Sequence, residues 1–547
     1  MSNKKRSVKD NNIRLSDVVS LVFLFCIFGI YPWIMHDRYF DITKTRSTFI
    51  IYSICIYCLL FLATIIIDRM IYKDSFFVEE DSKIIALPEL WMGLFAVANL
   101  AAFAVVLMDN SVVGHDKAGK PITKAMQAFE GSNGRMMGLF MYILLAIMFF
   151  VIARYLKINL NIFIVLAATT LYAYLVAIFQ HVNLPIDENT HSLIRKFSNH
   201  CVGLKEGIAK RQYDVFYSTL GNINIFACFI VITLSVFIFM YIFSKEIRYK
   251  VISAIVLVAG GFSIMIANSD SAYIGLSVAI YLAFILAIKD KKFIDFLLAM
   301  FFIALGNLGT VILNKKVIVF YDKRGGFATA LDRMDYAIII CLVLAFLVAA
   351  AILVKKFLSK YLEKINTKKL IVGILIATAV MIVAVVIVGI KKQMSIFKFN
   401  YKWGTYRGYI WTKSGELFKD APFINKLFGY GNESVKSLMV GSYNDEMIAV
   451  TKKVYDNCHN ELLQYLITTG IFGLVTYLGL FISSFIYILK NSKKQVIAYA
   501  CLGAMTGYFV QALININQPI TTPLYFVIMA VGVGYVRYLK KEGNKDD

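Results

Sequence analysis

Fourteen continuous apolar runs constrain the fold of this chain more than any other feature of its sequence. A bilayer core about 30 Å thick is crossed by roughly 20 apolar residues in an α-helix, and each run is close to that length. Only helices and closed barrels satisfy their backbone hydrogen bonds in lipid, and the runs do not alternate. The sequence therefore predicts an all-α polytopic membrane protein with about fourteen transmembrane helices. The predicted spans are 17–36, 49–68, 86–108, 136–153, 160–180, 224–243, 251–267, 272–288, 293–313, 336–354, 370–390, 461–489, 495–512 and 522–539.

The composition supports this fold class. Charged residues make up 17% of the 547 residues, against roughly 25% in an ordinary soluble domain, and this difference excludes most soluble folds. The basic tail before the first run resembles the start of a signal peptide. However, the run is as long as a full span and no small-x-small cleavage site follows it, so we interpret it as a retained first helix.

The distribution of positive charge predicts the orientation. The chain carries 57 Lys and Arg against 35 Asp and Glu, a net charge of +22. Short loops rich in Lys and Arg are typical of the cytoplasmic side, so we place both termini on the cytoplasmic side of the plasma membrane. The clusters that decide this lie at 245–250, 289–292, 355–369, 490–494 and 537–545.

About half of the basic residues fall instead in long external loops, where orientation does not require them. They form either a solvated basic surface or a site for an anionic substrate, and the charge pattern alone leaves both readings open. The composition gives no reason to expect a nucleic-acid partner.

The predicted spans divide the chain into three parts. Residues 1–390 hold the first eleven helices and their external loops. Residues 391–460 form a large extracytoplasmic loop before the twelfth helix, and residues 461–547 hold the last three helices and a cytoplasmic tail. The large loop carries Arg, Trp and His residues, so it is the first place to look for a reactive site.

His459 is the candidate catalytic residue of this loop. It lies directly before a predicted membrane helix, and Asn460 is a suitable N-cap for that helix. The positive end of the helix dipole favours a neutral imidazole, which is a usable general base. The alternative is an interfacial histidine that only caps the helical bundle.

Three motifs in a fixed order support the catalytic reading. Arg407-x-x-x-Trp411 is followed by Pro422 and Gly429-x-Gly431. His459-Asn460 is followed after nine residues by Gly470-x-x-Gly473. At the entry to the sixth span, Gly221-Asn222-Ile223-Asn224 follows the basic pair Lys210-Arg211.

Together these motifs resemble the superfamily of O-antigen ligases and Wzy-type O-antigen polymerases. The resemblance covers about residues 205–230 and 400–480, and is only topological elsewhere. Members often have a Ser-Arg step near the seventh or eighth span, whereas this chain has Ser271-Ala272, with alanine where the arginine would be. Fourteen spans suit the polymerase branch better than the ligase branch.

The resemblance implies a donor in which undecaprenyl diphosphate carries an oligosaccharide. An acceptor sugar hydroxyl attacks the anomeric carbon and the lipid diphosphate leaves. By this resemblance, His459 activates the acceptor hydroxyl, while Arg407, and less directly Arg211 and Lys210, contact the diphosphate. The supporting residues that it implies are Asn460, Asn222, Asn224, Trp411, Gly470 and Gly473.

Most of these supporting residues also have a structural reading. Asn222 and Asn224 suit the cap of the sixth helix. Gly470 and Gly473 suit close helix packing. Trp411 suits either a sugar ring or an interfacial anchor.

We expect neither a cofactor nor a metal, because a diphosphate is already a good leaving group. His181, His191 and His200 share a loop, but their spacing matches no standard ligand pattern. Cys201 and Cys458 could pair in an oxidising compartment.

The expected function is therefore a polymerase of lipid-linked repeat units. Its partners would be the lipid-linked donor, a growing polysaccharide or other glycan acceptor, membrane lipid and a chain-length regulator. The alternatives are a ligase that uses the same donor with a lipid or protein acceptor, and a flippase or other transporter. A transporter is disfavoured because the spans contain few ionisable residues.

Overall fold

The computed structural model describes residues 14–36, 41–72, 85–115, 119–132, 135–183, 218–316, 331–394 and 397–543. These residues form an all-α membrane protein with one short antiparallel hairpin, β1 (Val112–His115) and β2 (Pro121–Thr123). The helices are α1 (Leu15–Phe25, continued by a π-helical turn over Cys26–Ile30), α2 (Ile42–Tyr72), α3 (Leu87–Met108), α4 (Lys124–Glu130), α5 (Leu139–Tyr155), α6 (Ile162–Asn183), α7 (Ile223–Phe243), α8 (Ile247–Ala267), α9 (Asp270–Lys289), α10 (Phe293–Lys316), α11 (Met334–Glu363), α12 (Thr367–Lys391), α13 (Trp403–Asp420), α14 (Phe423–Phe428), α15 (Val435–Thr451), α16 (Glu461–Thr468), α17 (Gly470–Asn491), α18 (Val496–Ala512) and α19 (Thr522–Gly543).

The predicted fold class is confirmed. Eleven helices among the described residues are long and apolar enough to cross a membrane. Three further apolar helices are shorter, and they cover Leu15–Ile30, Leu139–Tyr155 and Val496–Ala512. The exact number of fourteen spans stays a prediction.

Helix α7 forms the centre of the bundle. Every residue from Ile225 to Phe243 is buried, as expected for a helix that is apolar on all sides. It packs against α8, α9 and α18. Helices α11 and α12 are peripheral, since most of their apolar side chains are exposed. The end of the bundle where α7 and α9 begin and α18 ends is the end that carries the large loop.

The predicted twelfth span, 461–489, is wrong as a single helix. The chain forms α16, breaks at Thr469 and resumes as α17 at Gly470, which has a φ of 68°. A residue with a left-handed backbone conformation ends a helix, and glycine adopts this conformation at little cost. Because a glycine inside an apolar run barely changes its hydropathy, the run predicts one helix where the structure has two.

The large loop is mostly helical, with α13, α14 and α15 between its ends. It has a small apolar core of its own, which is made by one face of α13, by α15 and by the segment around Cys458. The core residues are Tyr409, Ile410, Val435, Met439, Met447, Cys458 and Ile467. This core fixes the loop as a folded unit against α16, so Arg407 and His459 have defined positions.

Candidate active site

The glycine motifs lock the large loop onto the broken helix. The break at the end of α16 leaves carbonyl groups without helical partners. The N–H of Tyr430 donates to the carbonyl of Ile467 (3.0 Å), and the N–H of Gly431 donates to that of Thr468 (2.9 Å). These two bonds hold the Gly429-x-Gly431 segment beside the helix end.

The glycines themselves are required by close approach. Gly429 and Gly470 both have positive φ, and a Cβ on Gly429 would collide with Thr468. A Cβ on Gly470 would collide with the carbonyl of Leu427 in the same way. The backbones at Gly429 and Gly470 therefore pack closely against each other's segments, and the role of Gly470 is to allow this backbone packing.

His459 lies directly before α16 with a left-handed backbone, φ 47°. Its N–H donates to Oδ1 of Asn457 (2.8 Å). Asn460 is the N-cap of α16, since its side chain accepts the N–H of Leu463 (3.0 Å). A non-glycine residue in this conformation costs on the order of 1–3 kcal/mol and persists where neighbours hold it. The backbone of His459 is therefore held on both sides.

Trp411 contributes to this restraint. Its Nε1–H donates to the carbonyl of Cys458 (3.0 Å), and the N–H of Cys458 donates to Oε1 of Gln464 (3.0 Å). The indole also packs against Trp403, with ring centroids 5.2 Å apart. These contacts give Trp411 a structural role in positioning the segment that carries His459.

The imidazole of His459 is held in its neutral form. Burial is the largest cause that lowers its pKa, to about 4, and the charge of Arg407 lowers it further. Arg135 and Lys453 act in the same direction, while Asp456 opposes them. Nδ1 is buried and has no hydrogen-bond partner among the residues that the structure describes.

Arg407, whose charge acts on this imidazole, is itself tightly placed. Its Nε donates to the carbonyl of Ile514 (3.1 Å), and its Nη1 donates to that of Gly404 (2.7 Å). The turn Gly404–Tyr406 is left-handed throughout, with φ of 58°, 60° and 69°, so the backbone before Arg407 is strained. Burial lowers the pKa of the guanidinium, and Asp270 and Tyr455 oppose that shift.

Residues 326–478 match the O-antigen ligase family. The match contains Arg407, Trp411, His459 and both glycine motifs, and it confirms the resemblance to the superfamily of O-antigen ligases and Wzy-type polymerases. Members of that superfamily are membrane glycosyltransferases. No curated protein matches the chain.

The Gly-Asn-x-Asn segment lies outside the O-antigen ligase match but reaches the same end of the bundle. Asn222 caps α7, where its Oδ1 accepts the N–H of Asn224 (2.8 Å). Asn224 accepts from the hydroxyl of Ser269 (3.2 Å) through its side chain, and from Nδ2 of Asn515 (3.2 Å) through its carbonyl. Since Asn515 follows Ile514, the same turn that holds Arg407 also holds this segment.

A buried ion pair, which we did not predict, joins the segment before α5 to the large loop. Nε of Arg135 lies 2.9 Å from Oε2 of Glu433, and the side chains are 1% and 2% exposed. Nη2 of Arg135 also donates to Oδ1 of Asn517 (2.5 Å). The turn Asn515–Gln518 is rich in amide side chains. It could have indicated this contact from the sequence, because polar side chains between two apolar spans need partners.

Several predicted residues lie outside the described ranges. They are Lys210, Arg211, His191, His200 and Cys201.

Cys458 is buried, with its Sγ 3.5 Å from the hydroxyl of Ser414. His181 contacts Oδ1 of Asn314 through Nε2 (2.8 Å). Within the described residues, no group of three or more His, Cys, Asp or Glu could hold a metal ion.

Proposed function

We propose that this membrane glycosyltransferase polymerises undecaprenyl-diphosphate-linked oligosaccharide repeat units on the extracytoplasmic face. The observation that carries the proposal is the pairing of a guanidinium, Arg407, with a neutral imidazole, His459, in one folded loop. A lipid diphosphate needs a cationic partner, and guanidinium is suited to phosphate oxygens. A sugar hydroxyl needs a base within hydrogen-bond reach.

The reaction balances with these two residues. His459 takes the proton of the acceptor hydroxyl, and the hydroxyl oxygen forms a bond to the anomeric carbon of the donor. The bond between that carbon and the diphosphate oxygen breaks, and the electron pair leaves with the lipid diphosphate. Arg407 stabilises the negative charge that develops on the leaving group.

The donor tunes the base in this scheme. With the site empty, the positive charge of Arg407 helps to keep the pKa of His459 low. An anionic diphosphate beside Arg407 offsets that charge and raises the pKa of the imidazole. The base therefore becomes stronger when the donor is bound.

This coupling predicts two different acid limbs. The pH profile of kcat/KM reports the free enzyme and that of kcat the complex. We expect kcat/KM to fall only near pH 4, well below the ordinary histidine value of 6.5, because protonated imidazole cannot accept a proton. We expect kcat to fall at a higher pH. A limb in kcat/KM at the ordinary value would contradict the burial of His459 beside Arg407.

Ligation is the second candidate, and the family's description as an O-antigen ligase favours it. A ligase shares the donor and the leaving group, so Arg407 and His459 would act in the same way.

Transport is less favoured. The buried carboxylate Glu89 is neutralised by Arg154 Nε (2.8 Å) and Arg537 Nη1 (2.6 Å) near the predicted cytoplasmic side. That arrangement ties helices together.

Reconstitution of the purified protein separates these functions. Proteoliposomes receive lipid-diphosphate-linked repeat units, with and without a separate lipid-core acceptor and with and without excess chelator. We expect a ladder of longer chains on the carrier, without an added acceptor and in the presence of chelator.

Each other outcome contradicts a defined part of the proposal. Transfer only to the added acceptor would establish the ligase. Loss of activity on chelation, restored by a divalent ion, would contradict the metal-independent mechanism. Movement of unchanged donor across the bilayer without new glycosidic bonds would establish transport.

A further inference from the structure

Arg135 links two segments that contact the elements carrying the proposed catalytic pair. It lies just before α5, outside the segment matched by the O-antigen ligase family. Its guanidinium bonds Glu433 through Nε and Asn517 through Nη2, at 2.9 Å and 2.5 Å. Both residues of the ion pair are almost completely buried, so solvent ions screen it little.

The Glu433 side of this link leads to His459. Glu433 has a left-handed backbone, φ 62°, and its carboxylate also accepts from the hydroxyl of Ser132 (2.9 Å). It follows Gly431, whose N–H is bonded to the end of α16. Since Asn460, the N-cap of α16, directly follows His459, a shift of Glu433 would move the helix that holds the His459 backbone.

The Asn517 side leads to Arg407. Asn517 belongs to the turn between α18 and α19, and the carbonyl of Ile514 in that turn accepts Nε of Arg407. Asn517 also donates to the hydroxyl of Tyr142 (2.8 Å). The turn is therefore held against α5 on one side and supports the Arg407 guanidinium on the other.

The hydrogen bonds continue from Tyr142 back to α16. The hydroxyls of Tyr142 and Tyr465 lie 3.3 Å apart, and Tyr465 donates to Oε1 of Glu461 (3.1 Å). Tyr465 and Glu461 are both on α16, and all three residues are buried. Two routes, one through Glu433 and one through Asn517, thus connect Arg135 to the helix behind His459.

We propose that Arg135 is a positioning residue for glycosyl transfer, because it sets the distance between the Arg407 guanidinium and the His459 imidazole. This inference rests on the proposed function of that pair. Arg135 contacts segments that hold the two groups in place, and it needs no contact with substrate to act. A planar fork with two bonded nitrogens is required, which lysine cannot supply.

The test compares Arg135→Lys with Arg135→Gln in the full-length protein. Lysine keeps the charge but loses the fork, so we expect kcat to fall by about 100-fold, as for a small displacement of reacting groups. The acid limb of kcat/KM should stay in place. Glutamine also removes a charge that lowers the pKa of His459, so the limb should move to higher pH. The two variants therefore separate the charge of Arg135 from its geometry.

Lys124→Ala is the matched control. Lys124 lies in the same external loop and pairs with Asp109 at 2.6 Å, but this pair is exposed. We expect wild-type kcat and an unchanged pH profile. Hydrogen exchange of the amides in residues 454–470 gives a readout that does not depend on activity. Protection there should fall in Arg135→Lys and stay unchanged in Lys124→Ala.

Misfolding is separated from loss of positioning by a double variant. Removing one partner of a buried ion pair leaves an unpaired charge, so Arg135→Gln alone is expected to destabilise the protein. Arg135→Gln with Glu433→Gln removes both charges and should restore thermal stability while kcat stays low. Recovery of both stability and kcat would overturn the positioning role, as would wild-type kcat or unchanged exchange in Arg135→Lys. If the wild-type protein is inactive while amide protection still falls in Arg135→Lys, the proposed function is contradicted. The link from Arg135 to residues 454–470 then still holds.

Discussion

Replacing His459 with Asn is expected to lower glycosyl transfer by about 10²–10⁴-fold, the usual contribution of a positioned general base. Asparagine is the best replacement because it tolerates the left-handed backbone found at this position, φ 47°. The backbone bonds that hold residue 459 should survive, and only the imidazole is lost. His459→Ala should lose the same activity, with an additional loss of stability.

The glycans of a cell that carries His459→Asn reveal which reaction is lost. If the protein is a polymerase, single repeat units should still be built on the carrier or at the surface, while long chains disappear. If it is a ligase, long carrier-linked chains should accumulate. Analysis of surface glycan and of extracted lipid-linked glycan distinguishes the two patterns.

His36→Ala is the matched control for this histidine. His36 also falls on the predicted external side, but its side chain is 80% exposed and pairs with Asp41 at 2.9 Å. We expect normal glycan from this variant. Normal glycan from His459→Asn as well would end the catalytic assignment of His459.

Replacing Arg407 with Ala is expected to lower kcat/KM by about 10²–10³-fold, as for loss of one preorganised charge-stabilising donor. The reason is that, in the proposed mechanism, the guanidinium faces the developing charge of the leaving diphosphate. Its removal also takes away a positive charge that lowers the pKa of His459. The acid limb of the remaining activity should therefore move to higher pH.

Arg407→Lys separates charge from geometry. Two nitrogens of Arg407 are already bonded to the carbonyls of Ile514 and Gly404, and an ammonium cannot reproduce that fixed fork. We expect kcat/KM of Arg407→Lys to fall at the same low pH as in the wild type, because the positive charge is kept. We expect most of the activity to be lost.

Arg333→Ala is the matched control, because Arg333 lies in the same family segment and forms an exposed pair with Asp335 at 2.7 Å. Steady-state kinetics with the lipid-linked donor provide the measurement. Equal kinetics for Arg407→Ala and Arg333→Ala would remove Arg407 from the site.

The sequence was sufficient for the helices of the membrane bundle. A helix that crosses lipid is specified by local hydropathy and length, and each predicted run coincides with one or two helices of the structure. The motifs around Arg407 and His459 could also be identified from the sequence, because their spacing within one loop is a local property. Local patterns of this kind do not require knowledge of how distant segments pack.

Tertiary structure alone decided how those motifs become a site. Arg135 and Glu433 are 298 positions apart in the chain, and Arg135 and Asn517 are 382 apart, so no periodicity or spacing connects them. The break between α16 and α17 was not predicted for a related reason, because the Leu427 carbonyl that approaches Gly470 there comes from another segment. A buried hydrogen bond depends on which groups leave water together, and that is determined by packing between segments rather than by the order of residues.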